Sequence, residues 1–264
     1  MHEGDGTPDR GPLLRLQDVT VRFGGVTALD GVGFDVQSGE ICGLIGPNGA
    51  GKTTLFNCIT RLCRVAQGSI VFAGRRIEAV PAHAVIALGI ARTFQNLGVY
   101  PQMTVLENVL LGAHHGVEHG IAGTLLRPRR AGREERALSD RCRAILRDLD
   151  LESVAEAPAS ALPYGSLKRV EIARALAASP RLLLLDEPAA GLTQAETAAF
   201  GELILRVRDA FRLTVLLVEH HVGLVMSLCG RVVVLHVGRK LAEGPPAQIR
   251  SAPDVVEAYL GRAA

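Results

Sequence analysis

No apolar stretch of this sequence approaches the roughly 18 residues that a membrane-spanning helix needs. Runs such as Leu213 to Val218, which includes Thr214, are among the longest. The first residues, Met1-His2-Glu3-Gly4-Asp5-Gly6, hold neither a basic leader nor an apolar run. No secretory signal is therefore expected, and the chain is expected in the cytoplasm. Excess charge is missing too. Lys and Arg number 29 against 27 Asp and Glu, a net charge of +2. That balance excludes the basic surplus of a nucleic-acid binder. Lysine itself is scarce, with only Lys52, Lys168 and Lys240. Cys42, Cys58, Cys63, Cys142 and Cys229 are odd in number and form no C-x-x-C pair, so neither a disulfide framework nor a zinc site is expected. Reduced, mostly buried thiols are the expectation. There is no internal repeat, no low-complexity tract and no sustained heptad pattern. What remains is ordinary globular composition, 48% hydrophobic and 21% charged over 264 residues. That is enough for a well-buried core in one large domain or two small ones, and it excludes a disordered or collagen-like chain.

Residues 1–12, polar and rich in Gly and Pro, read as a flexible tail. Partial alternation predicts a strand from Leu13 to Phe23 and a second near Val32–Val36. Ile41–Ile45 reads as a strand buried on both faces, ending in a Gly-rich turn. Lys52–Leu62 has helical spacing, a short strand is expected around Ile70–Ala73, and a helix is expected after Pro81. Thr104 to Gly112 reads as a helix, with Thr104 and Glu107 in the capping-box pattern. Residues 112–132 read as an exposed insertion, followed by an amphipathic helix from Arg133 to Leu149 and a connector over 155–163. Beyond that the pattern alternates: helix 166–178, strand 181–186, helix 194–210, strand 213–218, helix 221–228, strand 231–237. Strands alternating with helices predict a mainly parallel α/β sheet, with the middle block as an inserted helical subdomain.

Gly46-Pro47-Asn48-Gly49-Ala50-Gly51-Lys52-Thr53 matches G-x-x-x-x-G-K-[ST], the phosphate-binding loop, and stands between a buried strand and a helix. Glycines let backbone N–H groups face a β-phosphate, and the helix adds its positive dipole end. Lys52 reaches the β- and γ-phosphates, the Thr53 hydroxyl ligates Mg²⁺, and Thr54 follows in the binding set. A second signal is Leu182-Leu183-Leu184-Leu185-Asp186-Glu187, an apolar strand that delivers two acids where open α/β sheets bind ligands. Asp186 is placed to hold Mg²⁺, and Glu187 to orient and polarise an attacking water. His114, His115 and His119 lack an acidic or Cys partner and read as a solvated loop rather than a metal site. The basic stretch Arg127 to Arg147, interleaved with acids, reads as a solvated helix face.

From about Leu13 to Leu260 the chain resembles the nucleotide-binding subunits of ATP-binding cassette (ABC) transporters. Thr93-Phe94-Gln95-Asn96 resembles the family's Q-loop, which implies a nucleotide and Mg²⁺ role for Gln95. Pro163, Tyr164, Gly165 and Ser166 fall on the signature motif that faces a partner's ATP. Ala190-Gly191-Leu192-Thr193 resembles the D-loop, and Val218-Glu219-His220-His221 the switch-histidine segment, with His220 catalytic. Phe23 lies where the family stacks an aromatic on adenine. The phrases LIGPNGAGKTTLFN, GIARTFQN, TVLENVLLG, LDEPAAGL and PDVVEAYLG are similar to the larger ATPase subunit of the branched-chain amino acid importers.

This resemblance implies a P-loop NTPase fold with an N-terminal antiparallel β subdomain, as one ABC ATPase domain over 13–264. Its parts would be 13–95, a helical subdomain over 96–165, and 166–264. It implies hydrolysis of ATP with Mg²⁺, coupled to uptake of branched-chain or related amino acids. The partners implied are a sister ATPase subunit, two transmembrane permeases and, indirectly, an extracytoplasmic solute-binding protein, with no nucleic acid. The chain would sit peripherally on the cytoplasmic face of the membrane. The same ATPase role for another cargo, in urea import or lipopolysaccharide export, and a soluble ABC protein without permeases are the alternatives. The chain departs from the family in its signature, at Pro163 and Ser166, and in its D-loop. Pro163 replaces the usual signature Ser and offers neither hydroxyl nor N–H, and Thr193 replaces the D-loop Asp. These departures imply that one of two dimer sites is impaired.

Overall fold

The computed structural model describes residues 11–93, 98–113 and 128–260. Gln95, Phe94 and the three histidines at 114, 115 and 119 lie outside the described residues. Four strands form an antiparallel sheet in the order β2-β1-β4-β5: β1 (Leu14–Phe23), β2 (Val26–Val36), β4 (Gln67–Phe72) and β5 (Arg75–Arg76). Six strands form the main sheet in the order β10-β9-β3-β8-β7-β6: β3 (Ile41–Ile45), β6 (Ile90–Arg92), β7 (Leu182–Asp186), β8 (Thr214–Val218), β9 (Arg231–His236) and β10 (Arg239–Gly244). All its pairings are parallel except β9 with β10.

The apolar runs are strands buried on both faces, and their two-residue period divides the core in two. Ile41, Ile45, Leu183, Leu185, Val215, Leu217, Val232 and Val234 point into one cluster, which the helices cover. Cys42, Leu44, Leu182, Leu184, Leu216, Val218, Val233 and Leu235 point into the other, together with the antiparallel sheet and α1 (Lys52–Ile59). The expected fold class is the observed one. Four of the five thiols are buried, as expected, and Cys63 is partly so.

The helices are α2 (Val105–Ala113), α3 (Pro128–Asp148), α4 (Tyr164–Ala177), α5 (Gln194–Phe211), α6 (Val222–Leu228), α7 (Pro246–Ser251) and α8 (Pro253–Leu260). The Thr104–Glu107 capping box is present: Thr104 N–H donates to Glu107 Oε2 at 2.7 Å and Glu107 N–H to Thr104 Oγ1 at 3.1 Å. Two expectations need correction. The helix foreseen after Pro81 is two separate 3₁₀ turns, Ala82–Ala84 and Ile86–Leu88, which Gly89 ends at φ +95. The insertion foreseen to 132 gives way to helix at Pro128, where Pro's fixed φ suits a first helical position. Strands β6 and β10 were not foreseen: β6 has three residues, and β10 (Arg-Lys-Leu-Ala-Glu-Gly) carries little apolar signal. Among the described residues no helix is long and apolar enough to cross a membrane.

Helices α2 and α4 meet at Gly112, where an added Cβ would lie 1.9 Å from the carbonyl oxygen of Arg174. Backbone cannot yield there as a flexible side chain could. Gly112→Ala should therefore destabilise the chain by about 1–3 kcal/mol through overpacking, despite alanine's better helix propensity. Thermal unfolding checks this, and an unchanged or higher Tm would show that the two helices are not in such close contact.

Candidate active site

Strands β3, β8, β7 and β6 run parallel, so their C-terminal ends share one edge of the sheet. β3 turns there through Gly46 to Gly51 into α1. A Cβ on Gly46 would lie 2.2 Å from the Leu235 carbonyl oxygen. Gly51 caps α1 at φ +105, with Leu29 and the Ala28 carbonyl where a side chain would stand. Both positions accept only glycine without a shift of backbone. Helix α1 has no capping side chain and no acid in its first turn. Its leading N–H groups have no partner within the helix, which leaves a place for an anion. Lys52 is 6% exposed, and its Nζ donates to the carbonyls of Gly46 at 2.7 Å and Pro47 at 3.0 Å. Burial pulls its pKa below the ordinary lysine value, opposed by the charges of Glu187 and Asp186.

A cleft of roughly 620 Å³ opens above this loop, lined by Ala28, the segment Asn48 to Thr54, Glu187 and His220. Side chains from three strand ends thus meet there. Glu187 follows β7 with φ +48, an uncommon backbone state for a non-glycine residue. Its N–H donates to the Val218 carbonyl at 2.8 Å, which carries the β7–β8 ladder one step further. His220 Nε2 stands 2.9 Å from Glu187 Oε1. Asp186 lies beneath, 1% exposed. Its Oδ2 accepts from Arg92 at 2.6 Å, while Oδ1 is buried with no hydrogen-bond partner among the described residues. That orphaned oxygen beside a cleft containing the Thr53 hydroxyl is a donor set that suits a hard divalent cation.

Other sequence-derived residues stand apart from the cleft. Phe23 is 55% exposed at the tip of the β1–β2 hairpin and is not part of the lining. Pro163 is the N-cap of α4 and provides no side-chain cap. Tyr164, Gly165 and Ser166 open that helix, with the Tyr164 ring against Gly191. Lys168 is 2% exposed; its Nζ lies 5.5 Å from the centroid of the Tyr164 ring and has no hydrogen-bond partner among the described residues. Thr193 caps α5 in a capping box with Glu196.

Sequence reasoning missed Arg92 and Glu219. Arg92 ends β6, a strand of three residues. Its guanidinium joins Asp186 to Asn57 Oδ1 at 2.7 Å and lies 5.4 Å from the Phe56 ring centroid. Glu219 sits inside the switch-histidine segment and is 3% exposed. An acid directly after an apolar strand was the available signal.

The ABC transporter family profile matches residues 29–190, and the branched-chain amino acid ATP-binding cassette transporter profile matches 239–264. The chain is 41% identical over 252 residues to the high-affinity branched-chain amino acid transport ATP-binding protein BraF of Pseudomonas aeruginosa, covering 96% of this chain and 99% of that one. The corresponding protein LivG of Escherichia coli shows the same identity and coverage. Among solved structures, the ADP conformation of MJ1267, an ATP-binding cassette of an ABC transporter, superposes with a TM-score of 0.83 at 32% identity, covering 95% and 99% of the two chains. The dimeric bacterial ABC transporter cassette MJ0796 gives 0.73 at 26% identity, covering 88% and 98%.

The Arg92–Asp186 pair is buried, with 10% and 1% of the side chains exposed. Arg92→Met keeps the apolar stem against Phe56 and removes the charge, which strands a buried carboxylate. A loss of about 3–5 kcal/mol in denaturant unfolding is expected. Stability equal to the native chain would mean that Asp186 does not depend on this partner.

Proposed function

The chain belongs to the ABC transporter family of ATPases, and from that premise we propose that it is the ATP-hydrolysing subunit of an importer for branched-chain or related amino acids. One observation carries the reading: Glu187 and His220, 2.9 Å apart, border the cleft that Lys52 and the phosphate-binding loop form. ATP would lay its phosphates on the loop and on the leading N–H groups of α1, with its adenine toward Phe23. Lys52 would exchange two loop carbonyls for the β- and γ-phosphates. Thr53 and Asp186 would hold Mg²⁺, with Gln95 as a further ligand. The fit rests on the orphaned Asp186 Oδ1. When bound, the cation would neutralise charge on the triphosphate. Glu187 would take the proton of the attacking water, and His220 would hold that carboxylate in place and contact the γ-phosphate.

Solved relatives include a dimeric cassette. A sister ATPase subunit is accordingly proposed here, with two transmembrane permeases and, through them, a solute-binding protein. The chain would act at the cytoplasmic face of the membrane. Proteins that copurify from membranes would name the cargo, since the permease and binding protein select it.

Glu187→Gln keeps the shape and removes the base. ATP should still bind while hydrolysis falls at least about 100-fold. Steady-state ATPase assay of the purified transporter decides this, and near-normal turnover in the Gln variant would place the base elsewhere.

The signature departure gives a second prediction. Pro163 sits at φ −60 and ψ 154, a backbone that serine adopts freely, so Pro163→Ser should restore a hydroxyl without strain. A homodimer of this chain would cap both ATPs with Pro163 and hydrolyse poorly. Restoring one γ-phosphate contact should raise its rate roughly 30- to 150-fold. ATPase rate against enzyme concentration compares the two proteins, and equal rates would show that Tyr164 or Gly165 already supplies the contact.

A further inference from the structure

We infer that Glu219 is a positioning residue for hydrolysis: its buried carboxylate fixes His220 against Glu187 and ties both to the turn that follows β7. The inference rests on the roles proposed above for Glu187 and His220.

Glu219 is the first residue after β8 and is 3% exposed. Its Oε1 accepts from the Ala189 N–H at 2.7 Å, in the turn after β7. Its Oε2 accepts from the N–H groups of His220 at 2.9 Å and His221 at 3.2 Å, in the turn after β8. One side chain therefore holds two loops, using one oxygen for each. A buried carboxylate is expensive unless charge-assisted hydrogen bonds satisfy it, and three amide donors do so here.

The His220 ring makes its hydrogen bond to Glu187 alone among the described residues. Its placement is therefore inherited from its backbone, and Glu219 pins that backbone. The contacts close on themselves. Glu187 leads through Pro188 to Ala189, Ala189 to the Glu219 carboxylate, Glu219 to His220, and His220 Nε2 back to Glu187 Oε1. In such a circuit, displacement of the turn after β7 moves the imidazole. The same turn continues to Gly191, which lies under the Tyr164 ring at the start of α4. A shift of that helix N-terminus thus has a contiguous route to His220.

The test uses the transporter complex as it copurifies from membranes, with ATP turnover and MgATP affinity read for each variant. Glu219→Gln keeps the shape but turns one acceptor into an NH₂ donor facing N–H donors. Glu219→Asp is one methylene too short to span both loops, and it carries the test if the Gln variant does not fold. Each should lower kcat about 10- to 100-fold, as a small misplacement does, with MgATP affinity within about threefold of native. Adding Glu219→Gln to His220→Ala should cost clearly less than the two separate losses multiplied, because the glutamate acts in large part through that histidine. Multiplied losses in the double variant, or affinity falling in step with turnover, would overturn the inference. Native turnover in the Glu219 variants beside a slow His220→Ala removes this inference alone. Native turnover in His220→Ala removes the reading of the site on which it rests.

Discussion

The site depends on the register of three parallel strands. Val218 on β8 pairs with Leu44 on β3 at one side and with Asp186 on β7 at the other. One row across the sheet therefore ends next to the phosphate-binding loop, the histidine turn and the acidic pair. Ladder hydrogen bonds and two apolar faces fix this row together. A slip of one residue in β7 would send its leucines to the wrong clusters and turn Asp186 away from Arg92. The geometry of the cleft is thus specified by core packing as much as by the residues that line it, and no loop has to find it independently.

The sequence was most legible where one local rule suffices. Runs such as Leu182–Leu185 are strands buried on both faces, as their unbroken apolarity implies. The Gly-rich turn after Ile45 needs glycine at Gly46 and Gly51 for reasons of approach and φ that the motif already encodes. Thr104 and Glu107 form their capping box because both partners lie within one turn. The residues that escaped notice depend on chain segments far apart. Arg92 meets Asp186, 94 positions away, and Glu219 meets Ala189, 30 positions away. Pattern cannot show such pairs before the sheet order is known. Short elements escaped for a different reason: three residues of β6 carry no measurable period.

The positive φ of Glu187 was also invisible in sequence, yet it sets the direction of the carboxylate. β7 delivers alternate side chains to the two clusters, and a regular continuation would send residue 187 toward the helical one. The left-handed turn departs from that alternation and presents Glu187 beside His220 instead. Such a conformation costs of order 1–3 kcal/mol and persists only where its surroundings over-determine it. Here the hydrogen bond of Glu187 N–H to Val218 and the Glu219 clamp on Ala189 hold both sides of the residue.

Preorganisation extends to the ammonium of Lys52. In this structure the loop's own carbonyls satisfy it at 2.7 and 3.0 Å. Its burial cost has therefore been met during folding, offset by those dipoles and by Glu187 and Asp186. A triphosphate entering the cleft would replace two dipoles with full negative charge without first having to dehydrate the lysine. The gain per contact is larger than at an exposed lysine, because little solvent remains to compete. The same reasoning separates Lys52 from Lys168. Both are buried, but among the described residues Lys168 has the Tyr164 face and no hydrogen-bond acceptor. Burial alone does not make a phosphate site. What distinguishes Lys52 is burial together with acceptors that a ligand can replace and an open cleft on the other side.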